Sequence, residues 1–207
     1  KYLFPMLRGE KRGFFGLTEP SGGSDPARAI RTRAIKDGDA YVINGSKIFI
    51  SGADKADFGL LFARTDPEKG RGGVTCFIVE TSMPGFHVRR VVHTLRSSHY
   101  ATELSFENLR VPASSILGQL NKGFAIANER LSRQRIPYAA QCLGPAYKAH
   151  EMAIDYAKQR ETFGAKLSSR QAIQWMLVDN EIDLRQATWM TLAAASKADK
   201  NEPFRME

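Results

Sequence analysis

The pattern of apolar residues changes near residue 120, and this change constrains the fold more than any other feature of the chain. Before it, short runs of β-branched and aromatic residues are separated by turn signals, among them Asp37-Gly38 and Asn44-Gly45. After it, Ala, Leu, Gln, Lys and Glu dominate, and apolar residues recur at helical spacing. The sequence therefore predicts an α+β protein in which β-strands precede long helices.

The first part predicts several short strands with no helix between them. Two turn signals close together indicate an antiparallel meander, and strands of this kind form antiparallel barrels or two-sheet sandwiches. We expect strands at residues 28–35, 41–43, 47–51, 58–63, 74–79, 86–92 and 103–106.

The second part predicts two long helices, at about residues 121–160 and 169–200. Pro137 and Pro145 lie inside the first, and a proline in a helix interior costs about 3 kcal/mol, so we expect a kink or a break near one of them. The second carries a mostly apolar stripe over roughly 45 Å, which one preceding helix cannot cover. We therefore expect either a fragment with an incomplete helical layer or other subunits that complete it.

Charge and composition limit the kinds of ligand. The formal net charge of +8 favours anionic partners, but the bases are spread along the chain and do not distinguish DNA from a nucleotide cofactor. Neither the four histidines nor Cys76 and Cys142 have the spacing of metal ligands, so we expect no metal site. No apolar stretch reaches the roughly 18 residues of a membrane-spanning helix.

A polar, glycine-rich loop follows an apolar run that ends at Leu17. Between Thr18 and Asp25 it contains one proline, two glycines and three hydroxyl side chains. Glycines allow another molecule to approach the backbone closely, and hydroxyls both donate and accept hydrogen bonds. Such a loop suits a ligand rich in acceptors, such as a phosphate or a carbonyl-bearing ring. The alternative is a glycine-rich surface turn.

This loop is the first of four motifs along the chain. They are Leu17-Thr18-Glu19-Pro20-Ser21-Gly22-Gly23-Ser24-Asp25, Ile43-Asn44-Gly45-Ser46-Lys47-Ile48-Phe49-Ile50-Ser51, Leu104-Ser105-Phe106-Glu107-Asn108-Leu109-Arg110-Val111-Pro112, and Arg160-Glu161-Thr162-Phe163-Gly164 with Gln171. In content and order they resemble the motifs of acyl-CoA dehydrogenases. The resemblance covers nearly the whole chain, and four ordered matches are more specific than any single one.

The resemblance implies three regions. Residues 1–12 would be a lead-in from a missing N-terminal helical domain, and residues 13–119 a β-domain that binds flavin and acyl-CoA. Residues 120–207 would be the first helices of a C-terminal four-helix bundle. The expected fold is thus an antiparallel β-barrel or two-sheet domain followed by long helices of an incomplete four-helix bundle, in a chain that looks like a fragment.

The resemblance also implies an oxidoreductase with FAD as cofactor. It would catalyse α,β-dehydrogenation of an acyl-CoA thioester in fatty acid β-oxidation and pass electrons to an electron-transfer flavoprotein. We expect a homo-oligomer, a dimer of dimers, in a bacterial cytoplasm or a mitochondrial matrix, and no nucleic acid partner. Two alternatives stay open: a flavoenzyme like acyl-CoA oxidases or nitroalkane oxidases, and a non-catalytic DNA-binding flavoprotein of the same family.

The resemblance assigns cofactor contacts to three of the motifs. The loop would bind the polar edge of the flavin, the second motif would pack against its ring, and the fourth would reach the FAD of a neighbouring subunit. Without the resemblance, Phe49 is expected in a strand core, Arg160 as a charge at a helix C-terminus and Gln171 in solvent. The residues implied to bind FAD are Phe15, Leu17, Thr18, Ser24, Phe49, Ile50, Ser51, Arg160, Thr162, Phe163 and Gln171.

By the same resemblance, Ser24, Ser132 and Arg135 would bind the acyl-CoA, although many members have Asp where Ser132 stands. Most members carry the catalytic Glu late in the C-terminal domain, beyond Glu207, and a minority carry it directly before an Arg on the first bundle helix. That second position is Gln134 here, and an amide cannot take a proton. We therefore expect no catalytic base in this chain, and we expect the isolated chain to be inactive.

Overall fold

The computed structural model describes residues 1–95 and 100–206, and the chain divides into two compact units, Lys1–Asn128 and Glu129–Glu207. The first unit is rich in strands and the second is helical, which confirms the predicted α+β class. Within the described residues, no helix is both long enough and apolar enough to cross a membrane.

The first unit contains two short helices and the main strands. The helices are α1 (Leu3–Leu7) and α2 (Pro26–Ala29); the strands are β1 (Gly13–Gly16), β2 (Arg33–Asp37), β3 (Ala40–Ser51), β4 (Phe58–Arg64), β5 (Val74–Glu80), β6 (Phe86–Val92) and β7 (Ala101–Pro112). Residues 1–12, expected as a lead-in, thus contain a helical turn. Tyr2, just before it, donates its hydroxyl to Glu80 on β5 at 2.9 Å.

In the described part of the chain, these strands form one seven-stranded sheet. Strands β2, β3, β7 and β6 follow one another as antiparallel neighbours, and β4 pairs antiparallel with β5. The predicted hairpin at Asp37-Gly38 is confirmed, since Asp37 pairs with Ala40. Strand β4 also pairs in parallel with β1, with Gly13 opposite Phe58, and with β2 through Arg33 and Arg64. No local turn signal indicated these two parallel pairings.

Two strand predictions were wrong in detail. Asn44-Gly45 does not end a strand, because β3 continues through it with a shift of register against β7 between Ile43 and Gly45. Gly45 has a φ of 149°, and a β-carbon there would lie 2.6 Å from the Cα of Thr32. The glycine therefore serves close backbone packing rather than a turn. The strand expected at residues 28–35 is instead the end of α2 followed by β2.

The core of the first unit is built from side chains of the sheet, and aromatic rings from distant parts of the chain meet in it. The ring of Phe86 lies 5.6 Å from the rings of both Phe14 and Phe106. The largest apolar side chains with no appreciable exposure are Ile43, Leu61, Phe62, Phe77, Leu104, Phe106, Leu109 and Val111.

The second unit contains two long helices joined by a small hairpin. Helix α3 is Gly123–Gln159, the hairpin consists of β8 (Glu161–Thr162) and β9 (Ala165–Lys166), and helix α4 is Gln171–Asp199. Helix α3 is continuous through Pro137 and Pro145, so neither proline breaks it.

Helices α3 and α4 contact each other along their buried faces. Tyr147 and Thr188 share a hydrogen bond of 2.9 Å between their hydroxyls, and His150 Nε2 lies 3.4 Å from Glu181 Oε2. Large apolar side chains also remain exposed on both helices. They are Tyr138, Met152, Tyr156, Trp175, Met176, Val178, Ile182, Trp189, Met190 and Leu192.

Candidate functional site

Residues 17–25, here called the Thr18 loop, leave β1 and are fastened at once to β3. The backbone N–H of Ile48 donates to the carbonyl oxygen of Thr18 at 3.0 Å. The side-chain ammonium of Lys47 donates to the carbonyl oxygen of Leu17, also at 3.0 Å. Two successive loop carbonyls are thus held by two successive residues of β3, which fixes the position of the loop on the sheet.

A buried ion pair lies behind this attachment. Lys47 is completely buried, and its Nζ lies 2.8 Å from Oε1 of Glu19. The carboxylate of Glu19 also accepts hydrogen bonds from the backbone N–H of Arg31 at 2.6 Å and from the N–H and hydroxyl of Thr32 at 3.0 and 2.6 Å. Every charge-bearing group here has partners, which is the condition under which a buried pair is tolerated.

Burial and pairing shift the titration of both groups. Burial, opposed by the nearby carboxylate of Glu19, lowers the pKa of Lys47 to about 8. Burial also raises the pKa of Glu19, but the Lys47 charge and the hydrogen bonds outweigh it and hold that pKa below its usual value near 4.5. The sequence analysis assigned no role to either residue. The available signal was a lysine that directly precedes the apolar run Ile48-Phe49-Ile50.

Residues 47–50, here called the Phe49 bulge, interrupt the regular pairing of β3 with β7. The register shifts between Lys47 and Ile50, and Phe49 has a left-handed backbone with a φ of 57°. Ile50 is buried, whereas the ring of Phe49 is 56% exposed. The alternative in which Phe49 is a strand-core residue is therefore wrong. A bulge with a strained aromatic residue aims a flat apolar face outward, an arrangement enriched next to binding sites.

The structure brings together only part of the set predicted in the first unit. Leu17 and Thr18 lie directly beside the bulge through the Ile48 bond. Ser51 is exposed at the end of β3, and Ser24 is exposed just before α2. Phe15 is half-buried in β1, with its ring 5.0 Å from that of Phe62, so it packs within the sheet.

A second predicted group gathers at the hairpin of the helical unit. Phe163 and Gly164, with φ values of 51° and 74°, form the two-residue turn between β8 and β9, and the Phe163 ring is fully exposed. Arg170, which the sequence analysis missed, lies with its guanidinium 5.9 Å from the centre of that ring and donates to the carbonyl oxygen of Thr162. Arg160 lies between α3 and β8, and Gln171 begins α4, so both adjoin this hairpin.

Two of the three residues predicted to contact substrate, Ser132 and Arg135, lie on α3 together with Gln134. Ser132 is half-buried, while Gln134 and Arg135 are exposed. They are not near the hairpin, since Arg135 and Arg160 are separated by about 37 Å of helix at 1.5 Å per residue. The segment from Thr94 to Tyr100 is a poor match to the family that the sequence resembles, and His99 within it lies outside the described residues.

Both units present groups that fit the expected FAD. The Phe49 ring offers a face for a planar ring system beside the N–H groups and hydroxyl of the Thr18 loop. At the hairpin, the buried Nε of Arg170 has no hydrogen-bond partner among the described residues, beside a fully exposed aromatic ring. An arginine donor and an aromatic face suit a pyrophosphate and an adenine. Over the same part of the chain, no group of three or more His, Cys, Asp or Glu could hold a metal ion.

Comparison with known proteins extends these observations. A family model described as acyl-CoA dehydrogenase, middle domain, matches residues 14–109, and one described as acyl-CoA dehydrogenase, C-terminal domain, matches residues 121–207. A short-chain specific acyl-CoA dehydrogenase from Clostridium acetobutylicum is 41% identical over 209 aligned positions, which include 100% of this chain and 55% of that protein.

Two solved structures are similar in both fold and sequence. Butyryl-CoA dehydrogenase from Megasphaera elsdenii has a TM-score of 0.90 and 40% identity, with 98% of this chain and 53% of that one covered. A structure from work on the electron transferring flavoprotein of Acidaminococcus fermentans has a TM-score of 0.88 and 40% identity, covering 98% and 53%. The chain therefore spans about half the length of the relatives it matches.

Proposed function

The chain belongs to the acyl-CoA dehydrogenase family, and from this premise we propose that it is part of an FAD-dependent enzyme that dehydrogenates acyl-CoA thioesters. The observation that carries the proposal is the attachment of the Thr18 loop to the Phe49 bulge through the Ile48–Thr18 bond. It joins hydrogen-bond donors and an exposed aromatic face in one rigid segment. A planar ring with a polar edge is the ligand that such a segment suits.

In this proposal the first unit holds the flavin. The carbonyls of Leu17 and Thr18 are bonded to β3, and in this proposal their N–H groups and the Thr18 hydroxyl bind the polar edge of the ring. Phe49 packs against the face of the ring, and Ile50 and Ser51 follow it along the flavin. When bound, FAD supplies the acceptor for the hydride that leaves the β-carbon of the acyl group.

The hairpin of the second unit binds the FAD of a neighbouring subunit. Arg160 supplies permanently charged donors for the pyrophosphate, while Thr162, Phe163 and Gln171 contact the adenosine. The full exposure of the Phe163 ring and the unpartnered Nε of Arg170 among the described residues support this role. Since two subunits then share each cofactor, the protein is a homo-oligomer, which we propose to be a dimer of dimers.

The substrate contacts are Ser24, near the pantetheine or pyrophosphate of CoA, and Ser132 and Arg135 on α3. The α-proton of a thioester is weakly acidic, so its removal requires a positioned carboxylate. Gln134 holds the alternative position of that base and cannot accept a proton. We propose that the base lies beyond Glu207, and that the 207 residues alone bind cofactor without turnover.

The proposed physiological setting follows the family. The enzyme acts in fatty acid β-oxidation, in a bacterial cytoplasm or a mitochondrial matrix, and passes its electrons to an electron-transfer flavoprotein. The similarity to a structure from work on such a flavoprotein supports this partner.

The test is an anaerobic titration of the FAD-loaded protein with butyryl-, octanoyl- and palmitoyl-CoA, followed by visible absorbance. We expect the 207-residue chain to bind FAD with no bleaching, and a version that continues past Glu207 to bleach with one of the three substrates. Failure of either version to bind FAD would contradict the whole proposal, and turnover by the 207-residue chain would contradict the location of the base. Rapid reoxidation by air would favour an oxidase, and salt-sensitive retention of DNA without bleaching would favour the DNA-binding alternative.

A further inference from the structure

We propose that Lys47 is a positioning residue that clamps the Thr18 loop to the Phe49 bulge, so that the two flavin contacts are held as one unit. The inference rests on the proposed function, because it concerns how the flavin-binding elements are placed. Lys47 itself is completely buried, so it acts on the flavin contacts only through its bonds to the loop.

The Lys47 ammonium group binds both sequence neighbours of Thr18. Its Nζ donates to the carbonyl oxygen of Leu17 at 3.0 Å and to Oε1 of Glu19 at 2.8 Å. The next residue of the strand, Ile48, binds the carbonyl oxygen of Thr18 at 3.0 Å. Three consecutive loop residues are therefore held by two consecutive strand residues, and the residue that follows is Phe49.

The second partner of the clamp also closes the far side of the loop. Glu19 accepts bonds from Arg31 at 2.6 Å and from the N–H and hydroxyl of Thr32 at 3.0 and 2.6 Å. The chain that leaves Glu19, passes Ser24 and forms α2 thus returns to the same carboxylate. Both ends of residues 19–32 are therefore held at the Glu19 carboxylate, and Glu19 directly follows Leu17 and Thr18, which are proposed to bind the flavin edge.

The chemistry of the clamp favours a positioning role over a stabilising one. A buried ion pair is generally no better for stability than apolar side chains of similar volume, because both charges lose their hydration. An apolar side chain at position 47 would fill the same space but could not bond the Leu17 carbonyl. The ammonium group therefore fixes where the loop backbone lies relative to β3.

The test compares Lys47→Met and the double variant Glu19→Gln/Lys47→Met with the wild-type 207-residue chain. The control is Val79→Ala, which removes core volume in β5 from a fully buried position. Three quantities are measured: the hydrogen exchange rate of the Ile48 amide relative to that of Phe62 in the cofactor-free chain, the Kd for FAD, and the visible spectrum of the bound flavin.

We expect both Lys47 variants to exchange the Ile48 amide at least tenfold faster relative to Phe62, to bind FAD at least tenfold more weakly and to shift the flavin spectrum. Val79→Ala should lower the melting temperature and leave all three unchanged. A folded double variant whose Ile48 amide exchanges at the wild-type rate would overturn the proposal that Lys47 positions the loop. Failure of both variants to fold would also overturn it, because Lys47 would then be needed for the whole fold. If the wild type binds no FAD, the proposed function fails, while the exchange of Ile48 still decides the clamp.

Discussion

Thr102 on β7 donates its side-chain hydroxyl to the backbone carbonyl oxygen of Ile50 on β3 at 2.8 Å. The hydroxyl is completely buried, and its acceptor follows directly after Phe49. Ile50 and Thr102 are also paired at the point where the register of the two strands resumes. The bond therefore fixes the exit of the bulge, as the Ile48–Thr18 bond fixes its entry.

Replacing this hydroxyl by a methyl group tests whether the bulge must be fixed for cofactor binding. Thr102→Val leaves a buried carbonyl without its side-chain partner, so we expect a loss of about 1–3 kcal/mol in the free energy of unfolding. We also expect several-fold weaker FAD binding. The matched control is Thr81→Val, which removes a 2.7 Å bond to the carbonyl of Ala56 away from the bulge. It should lower stability in urea unfolding without changing the Kd for FAD, and equal effects of the two variants on the Kd would refute the prediction.

Phe49→Gly should separate cofactor binding from stability. The left-handed backbone costs a non-glycine residue about 1–2 kcal/mol, and the ring is more than half exposed, so its removal sacrifices little packing. We expect the cofactor-free variant to unfold at the same urea concentration as the wild type or a higher one, while FAD binding falls at least tenfold. Phe62→Ala, at a fully buried position, should instead cost about 3–5 kcal/mol. A Phe49→Gly variant as unstable as Phe62→Ala would show that the ring belongs to the core.

Two glycines with positive φ differ in what surrounds them. A β-carbon on Gly45 would meet the Cα of Thr32 at 2.6 Å, whereas one on Gly38 would meet nothing within 4 Å. Gly45→Ala must displace Thr32, a partner of Glu19, so we expect a loss of at least about 2 kcal/mol together with weaker FAD binding. Gly38→Ala should cost about 1 kcal/mol from the backbone alone and leave FAD binding unchanged. Denaturant unfolding and fluorescence titration of both variants make the comparison, and equal losses would contradict it.

The ionisation of Glu19 should make the free energy of unfolding depend on pH under acidic conditions. Its pKa is lowered in the folded protein, so the unfolded chain takes up the proton first as the pH falls. The stability from this group is fully present above about pH 4.5 and is lost as the pH drops through the folded pKa. We expect the wild type to lose stability relative to Glu19→Gln/Lys47→Met between pH 6 and pH 3, measured by urea unfolding. Lys47 stays protonated throughout this range, since its pKa is about 8. Parallel pH profiles of the two proteins would contradict the prediction.

Patterns of neighbouring residues were enough to predict the parts of the fold that depend on local sequence. The Asp37-Gly38 hairpin follows from its turn residues, and the apolar spacing placed α4 within two residues of its observed bounds. The resemblance to a family pointed to Phe49 as an exposed contact, against the expectation from strand propensity alone. That expectation failed because alternation cannot reveal a bulge, which depends on the partner strand.

The remaining features depend on residues that are distant in sequence. Asn44-Gly45 looks like a turn until Thr32 is known to lie against Gly45. Pro137 and Pro145 are unfavourable in an isolated helix, yet α3 runs through both in the folded chain. Lys47 would be placed in solvent by any hydrophobicity scale, since only Glu19 and the Leu17 carbonyl make its burial possible.

The parallel pairing of β1 with β4 has a consequence for the order of events during folding. Bringing Gly13 opposite Phe58 closes a loop of about 45 residues, and such non-local contacts form slowly because the chain entropy is lost before the contacts compensate for it. The Thr18 loop follows β1 directly, so we expect its final position on β3 to be reached together with this closure. We therefore expect the Thr18 loop and the Phe49 bulge to be among the last regions of the first unit to assemble.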